Sequence, residues 1–276
     1  TALLLGQLAQ EAGLPDGVLQ VLPGAGSEAG NALTTHPLVR KIGFTGSTEV
    51  GSKIMKLAAD DIKRVSLELG GKSPNIVFAE ADWQRAATES PMSVFANTGQ
   101  DCCARSRMFI EQPIFNDFVN QFVAATESLK IGDPTNDETQ LGPMVSAAQR
   151  EISESFVTEA RDAGRDIRTG GERQGEHGFY LNPAVITGVK TGDRAWCEEI
   201  FGPVVCLRPF TDEAKMLQEV NDTSFGLSGS IWSRDLSRAL RVARQVESGV
   251  ISINTHSSVH TEAPFGGFKR SGLGRD

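Results

Sequence analysis

Two adjacent thiols, Cys102 and Cys103, sit in Asn97-Thr-Gly-Gln-Asp-Cys-Cys-Ala-Arg-Ser-Arg107, just after a Gly-Gln turn and just before an extended run. A cysteine attacks as its thiolate, which nearby backbone N–H groups and positive charge favour. Arg105 and Arg107 are the cations at hand, Asp101 works against them, and Cys102 reads as the nucleophile. Glu68, in Leu67-Glu-Leu-Gly-Gly71, is a carboxylate between two leucines, with glycines that let backbone come close. Burial raises the proton affinity of a carboxylate toward what a general base needs; an outward-facing strand residue is the plainer alternative. Glu199, in Glu198-Glu-Ile-Phe-Gly-Pro203, reads by itself as a solvated turn residue. Gly46-Ser-Thr-Glu-Val-Gly51 lies between a strand and a helix, where a phosphate would meet helix N-terminal N–H groups. It is neither G-x-G-x-x-G nor a P-loop. His256 and His260 stand four apart, but follow a strand inside a Ser/Thr-rich run with Glu262 as the one further ligand, so no metal is expected.

The elements that must hold these residues alternate along the chain. Helix formers fill residues 2 to 12, and Leu14-Pro-Asp-Gly17 is a turn before a β-type run from Val18 to Leu22. A short helical stretch follows Gly26, then a strand over Lys41 to Thr45 and a helix to about Ala59. Val65 to Leu69 is a short apolar segment closed by Gly70-Gly-Lys-Ser-Pro74, the best place for a domain boundary. Ile76 to Phe78 reads as a strand. Trp83, Ala86, Ala87 and Val94 form a helical stripe that Pro91 should kink. Met108 to Glu111 is extended, and Phe115, Phe118, Val119, Phe122 and Val123 make one buried helix face. Helices near 147 to 163, 213 to 221 and 236 to 247 then separate strands near 184 to 186, 204 to 207, 227 to 232 and 250 to 254. Strands separated by helices predict an α/β fold with a parallel, doubly wound sheet.

Composition narrows the function. With 276 residues, 39% of them hydrophobic and 22% charged, the chain has material for one large or two modest domains. A net charge of -8 without a basic cluster argues against nucleic acid as a partner. No apolar run reaches the roughly 20 residues of a membrane span. Four cysteines without disulfide spacing fit free thiols in a reducing, cytoplasmic setting.

Taken together, five segments resemble, in order and spacing, the NAD(P)-dependent, non-phosphorylating aldehyde dehydrogenase superfamily. They are Phe44-Thr-Gly-Ser-Thr-Glu-Val-Gly51, Leu67-Glu-Leu-Gly-Gly-Lys-Ser-Pro-Asn75, Gly99-Gln-Asp-Cys-Cys-Ala104, Glu199-Ile-Phe-Gly-Pro-Val204 and Pro264-Phe-Gly-Gly-Phe-Lys-Arg-Ser-Gly272. The resemblance implies a partial Rossmann-type cofactor domain over 1–70, an α/β catalytic domain with a parallel sheet over 71–270, and the start of a C-terminal tail at 271–276. It implies Cys102 as nucleophile and Glu68 as the carboxylate that activates water. Gly46, Ser47, Gly51, Gly70, Glu199 and Phe201 would then serve NAD or NADP, with Glu199 on the nicotinamide ribose. Phe265, Asn254 and the segment from Thr255 to Ala263 would serve the substrate. Asp101 and Arg105 stand where the family more often has small or uncharged residues.

The resemblance further implies a C-terminal portion of a longer, homo-oligomeric enzyme acting on a small aldehyde, without membrane or nucleic-acid partners. The first cofactor-sheet strands, the Lys at the adenosine ribose and the oxyanion Asn would lie ahead of Thr1, so that this chain alone would bind NAD poorly. Two other readings stay open: a catalytically incomplete fragment or interaction protein that keeps the fold, and an acylating enzyme that passes the thioester to coenzyme A or phosphate. Glu68 argues against the second.

Overall fold

The computed structural model describes residues 1–275, in two compact units: residues 1–44 with 49–66, and residues 45–48 with 67 onward. The first unit carries α1 (Ala2–Glu11), α2 (Asn31–Thr35), most of β1 (Lys41–Thr45) and of α3 (Thr48–Ala59), and the start of β2 (Arg64–Glu68). Its interior is small. Thr34, Gly51, Ala58 and Ser66 are buried, whereas Leu3, Leu4, Leu5 and Leu8 of α1 are all exposed. Lys63 ties it together by donating to the carbonyls of Thr34 and His36, at 2.8 and 2.6 Å. The β run expected over Val18 to Leu22 is not formed. These residues have no strand beside them and their side chains are mostly exposed, so β propensity alone is not enough to make a strand.

The second unit is built on a seven-stranded sheet. Its elements are β3 (Pro74–Val77), α4 (Trp83–Phe95), β4 (Arg107–Glu111), α5 (Phe115–Glu127), α6 (Ala147–Asp162), β5 (Asp166–Thr169), β6 (Ala184–Thr187) and α7 (Arg194–Cys197). They continue through β7 (Val204–Phe210), α8 (Glu213–Asn221), β8 (Phe225–Gly226), β9 (Ser228–Trp232), α9 (Leu236–Ala243), β10 (Val250–Ile253), β11 (Phe268–Lys269) and β12 (Gly272–Leu273). The strand order is β10-β9-β3-β4-β7-β6-β5, parallel except for β5, which pairs antiparallel with β6.

Period-two alternation fills both faces of this sheet. Ile76, Phe109, Ala184, Ile186, Val204, Cys206 and Ile231 point to one core, covered by Phe156 and Val157 of α6, Trp196 of α7, Met216 and Val220 of α8 and Val242 of α9. Val77, Met108, Ile110, Val185, Val205, Leu207 and Trp232 point to the other, covered by Val94 and Phe95 of α4 and Phe118, Val119 and Phe122 of α5. The expected helices and strands of this unit form, α7, β8, β11 and β12 join them unexpectedly, and three further points differ. Helix α4 runs on through the buried Pro91 to Phe95, α9 stops at Ala243, and β5 was missed because Asp166-Ile-Arg-Thr169 carries charge on its exposed face. Among the described residues no helix is long and apolar enough to cross a membrane.

Register does the work of assembly. Pro74, at the start of β3, lies beside Arg107 at the start of β4, and Arg107 lies beside Cys206 of β7. The segments that lead into these strands, 69–73, 98–106 and 199–203, therefore converge at one end of the sheet. That end is the N-terminal one, opposite to the carboxyl ends at which open α/β sheets usually bind ligands.

Candidate active site

Where the three segments meet there is a cavity of about 690 Å³ lined by Gly46, Ser47, Glu68, Gly70, Cys102, Glu199 and Phe201, among others. All belong to the second unit. Glu68 ends β2 and is only 6% exposed. Its strand is clamped on both sides. Its carbonyl accepts the Gly46 N–H at 3.0 Å, and Glu68 and Leu67 pair antiparallel with Gly272 and Leu273 of β12. Ser271 closes the join: its carbonyl accepts the Leu69 N–H at 2.9 Å, its Oγ donates to the Gly70 carbonyl at 2.6 Å, and the same Oγ accepts the Gly226 N–H at 2.9 Å.

The loop that delivers Cys102 is bent by three successive residues in the left-handed region, Asn97, Thr98 and Gly99, at φ 52°, 57° and 69°. For a β-branched threonine that conformation is strained. Its hydroxyl donates to the Gly142 carbonyl at 2.9 Å, and the Gln100 side chain accepts the Val145 N–H at 3.0 Å, so the strain is held from outside. Cys102 itself is half-buried and faces the cavity.

The two sulfurs and the Asp101 carboxylate lie within 4.8 Å of one another, so the proton affinity of each thiol depends on the other. The neighbouring Cys103 thiol, burial, and the charges of Asp101 and Glu199 all push the Cys102 thiol well above the usual thiol range, while the nearness of Cys102 lowers Cys103. The arginines do not serve Cys102 as the sequence suggested. Arg107 is buried and donates to the carbonyls of Lys72, Glu219 and Val220, closing the end of α8. Arg105 acts on Cys103 instead. Cys103→Ala is therefore expected to move the pH profile of Cys102 alkylation downward, since it removes the largest cause of the raised pKa, and to leave aldehyde oxidation within a few fold. A profile that stays put would show that the thiols do not share a proton.

Glu199 is held by the glycines of the first segment. Gly71 N–H donates to its Oε1 at 2.9 Å, and a Cβ on Gly70 would overlap its carboxylate. Burial raises its pKa, against the pull of that N–H and of Lys72. Lys72 is 1% exposed, with its own pKa lowered by burial to about 8. Phe201, at φ 52°, is 39% exposed on the cavity wall. Gln149 of α6, which sequence reasoning passed over, fixes this segment by donating to the carbonyls of Ile200 and Phe201 at 3.2 and 3.0 Å. A lone glutamine in a polar helix gives no sequence signal for that role.

Gly71 has a separate duty, because a Cβ there would run into the carbonyl of Cys102. Gly71→Ala is expected to shift the thiol loop and lower Cys102 reactivity by about 10²-fold, the cost of roughly 1 Å of misplacement. Alkylation at the wild-type rate in a folded variant would refute this.

Three expected residues are not among those that line this cavity. Gly51 belongs to the first unit, buried in α3. Asn254 lines neither this cavity nor the smaller one described below, because its amide is committed to Ser233, accepting its N–H at 3.0 Å and donating to its carbonyl at 2.9 Å. Phe265 lines neither cavity and is half-buried. His256 and His260 join no cluster of metal-ligating side chains among the described residues; the one such group is Asp101, Cys102 and Cys103, whose ligand atoms lie within 4.8 Å of one another.

The family model for the aldehyde dehydrogenase family matches residues 1–276, and the chain belongs to that family. It is 44% identical over 279 residues to aminoaldehyde dehydrogenase 2, peroxisomal, of Pisum sativum, and 44% identical over 278 residues to betaine aldehyde dehydrogenase 1 of Oryza sativa subsp. japonica. Each match takes in 100% of this chain and 55% of the relative, so the chain spans about 55% of their length. Among solved structures, an NAD-dependent aldehyde dehydrogenase from Sinorhizobium meliloti superposes with a TM-score of 0.96 at 41% identity, covering 99% of this chain and 55% of that one. A betaine aldehyde dehydrogenase from Staphylococcus aureus in complex with NAD+ gives 0.94 at 36% identity, with 98% and 55% covered.

Proposed function

We propose that this chain carries the thiol and acid machinery of an enzyme that oxidises an aldehyde to a carboxylic acid with NAD. The observation that supports this most is the opening of Cys102 and Glu68 on one cavity, with Glu199 and Phe201 on its wall. The cavity fits such a cofactor. Glu199 presents a fixed carboxylate suited to ribose hydroxyls, with Gly70 leaving room for it, and Phe201 offers a half-exposed ring for a flat base. NAD, when bound, accepts the hydride.

In this reading Cys102, once deprotonated, adds to the aldehyde carbon, and its own backbone N–H steadies the oxyanion. Loss of hydride leaves a thioester on Cys102. Glu68 then takes a proton from water, which attacks the thioester, releases the carboxylate and frees the thiol. Splitting the oxidation into acylation and hydrolysis replaces one hard step by two easier ones. The names of the relatives support an aldehyde as substrate, and the NAD+ complex among the neighbours supports NAD over NADP.

Intact-mass analysis after incubation with an aldehyde and NAD, followed by acid quench, tests the assignment. An acyl increment that maps to Cys102 and requires NAD is expected. An unmodified Cys102 peptide at NAD concentrations shown to saturate the chain, or a label confined to Cys197 or Cys206, would refute it.

A further inference from the structure

Beyond the large cavity is a second, of about 310 Å³, lined by Asp101, Cys103, Arg105, His256, Ser258 and neighbouring apolar atoms. Asp101 lines both, and Cys103 is the residue next to the nucleophile, so the smaller space adjoins the point of reaction. Arg105 is the unusual member. It is 1% exposed, and among the described residues it makes no ion pair, although a buried cation is costly without a carboxylate to match it.

Its guanidinium rests only on neutral oxygens. Nε donates to Ser230 Oγ at 2.7 Å, Nη1 to Ser228 Oγ at 2.6 Å and to the Cys103 carbonyl, and Nη2 to Ser258 Oγ at 2.5 Å and, loosely, to the His256 carbonyl at 3.3 Å. The loosest bond is thus at Nη2, toward the 256–258 segment of the cavity wall. His256 has a buried Nδ1 with no hydrogen-bond partner, and burial and Arg105 together lower its pKa. Asp101 acts on Arg105 only at a distance, without an ion pair: it is exposed to solvent, and one of its carboxylate oxygens accepts the Cys103 N–H at 2.8 Å. Arg107, equally buried, gives no such signal, since it closes a helix end.

We propose that the second cavity receives the far end of the aldehyde and selects a substrate bearing a carboxylate, held by Arg105 Nη2 together with Ser258 and His256. This rests on the proposed function, because it supposes that the aldehyde end meets Cys102. A planar carboxylate suits a guanidinium better than the hydroxyl and carbonyl it would displace. A substrate with a positive far end, such as betaine aldehyde, would meet the like charge of Arg105.

The test is protection of Cys102 in the whole chain from iodoacetamide, read by peptide mass, with three aldehydes: 4-oxobutanoate, its methyl ester and betaine aldehyde. The ester matches the reach of 4-oxobutanoate without the charge. We expect 4-oxobutanoate to protect at a concentration lower than the ester by about tenfold or more, the usual effect of a hydrogen bond to a charged group, and betaine aldehyde to protect least. In Arg105→Gln the acid and the ester should become equal while protection by the ester is kept, and Arg105→Lys should restore part of the difference. Ester and acid protecting alike in the wild-type chain would overturn the carboxylate selection and leave the aldehyde reading intact. No protection by any of the three would overturn both. The wild-type comparison decides the matter even if the Arg105 variants fail to fold.

Discussion

Cys102→Ala is expected to remove the acyl adduct and all aldehyde-dependent NADH formation together, to the limit of detection. The loss exceeds anything else in the molecule because no other group can take over the covalent step. Removing a general base or an oxyanion donor leaves a slower version of the same reaction, roughly 10²- to 10⁴-fold down. Removing the atom that becomes acylated leaves no route to a thioester. The neighbouring thiol cannot substitute, since Cys103 is buried and lines the smaller space rather than the large cavity. Active Cys102→Ala beside inactive Cys103→Ala would reverse the assignment of the two sulfurs.

Glu68→Gln should separate the two halves of the reaction. Acylation needs the thiol and an acceptor for hydride, so a first turnover's worth of NADH is expected at near wild-type amplitude. Hydrolysis needs a proton acceptor, so the steady rate should fall roughly 10²- to 10⁴-fold and the acyl form should accumulate on Cys102. Glutamine keeps the size of the side chain in a 6% exposed position, which limits disturbance of the β2–β12 pairing. Rapid-mixing measurement of NADH gives the answer: if burst and steady rate shrink by the same factor, Glu68 acts before the thioester exists.

Much of the second unit could be read from the chain, because its strands are buried on both faces and its helices carry one apolar stripe each. Phe118, Val119 and Phe122 at helical spacing, or Ile76 through Phe78 as an apolar run, leave few alternatives. What could not be read was which loops meet. Glu68, Cys102 and Glu199 are far apart in sequence, and only the parallel register of β3, β4 and β7 brings their segments to one end of a sheet. Motif resemblance grouped them without giving that reason. The charge arguments failed where they assumed that a nearby arginine in sequence is a nearby cation in space. Arg105 and Arg107 alternate along the chain, and each found a different task. Val18 to Leu22 failed for want of a neighbouring strand, and nothing in the sequence signals that the Asn254 amide is bonded to Ser233.

Ser271 is fully buried, yet the two residues before it, Lys269 and Arg270, are exposed basic residues. The Arg270 N–H is bonded to the Ser224 carbonyl and the Ser271 N–H to that of Phe268. A trypsin-like protease would therefore cut just ahead of this serine, which latches the acid-bearing strand to its neighbours, only once this turn had opened. Such a nick would leave the thiol and the great sheet untouched while setting the carboxylate adrift. The cleaved molecule would acylate once and stall, a trapped intermediate made by proteolysis rather than by mutation.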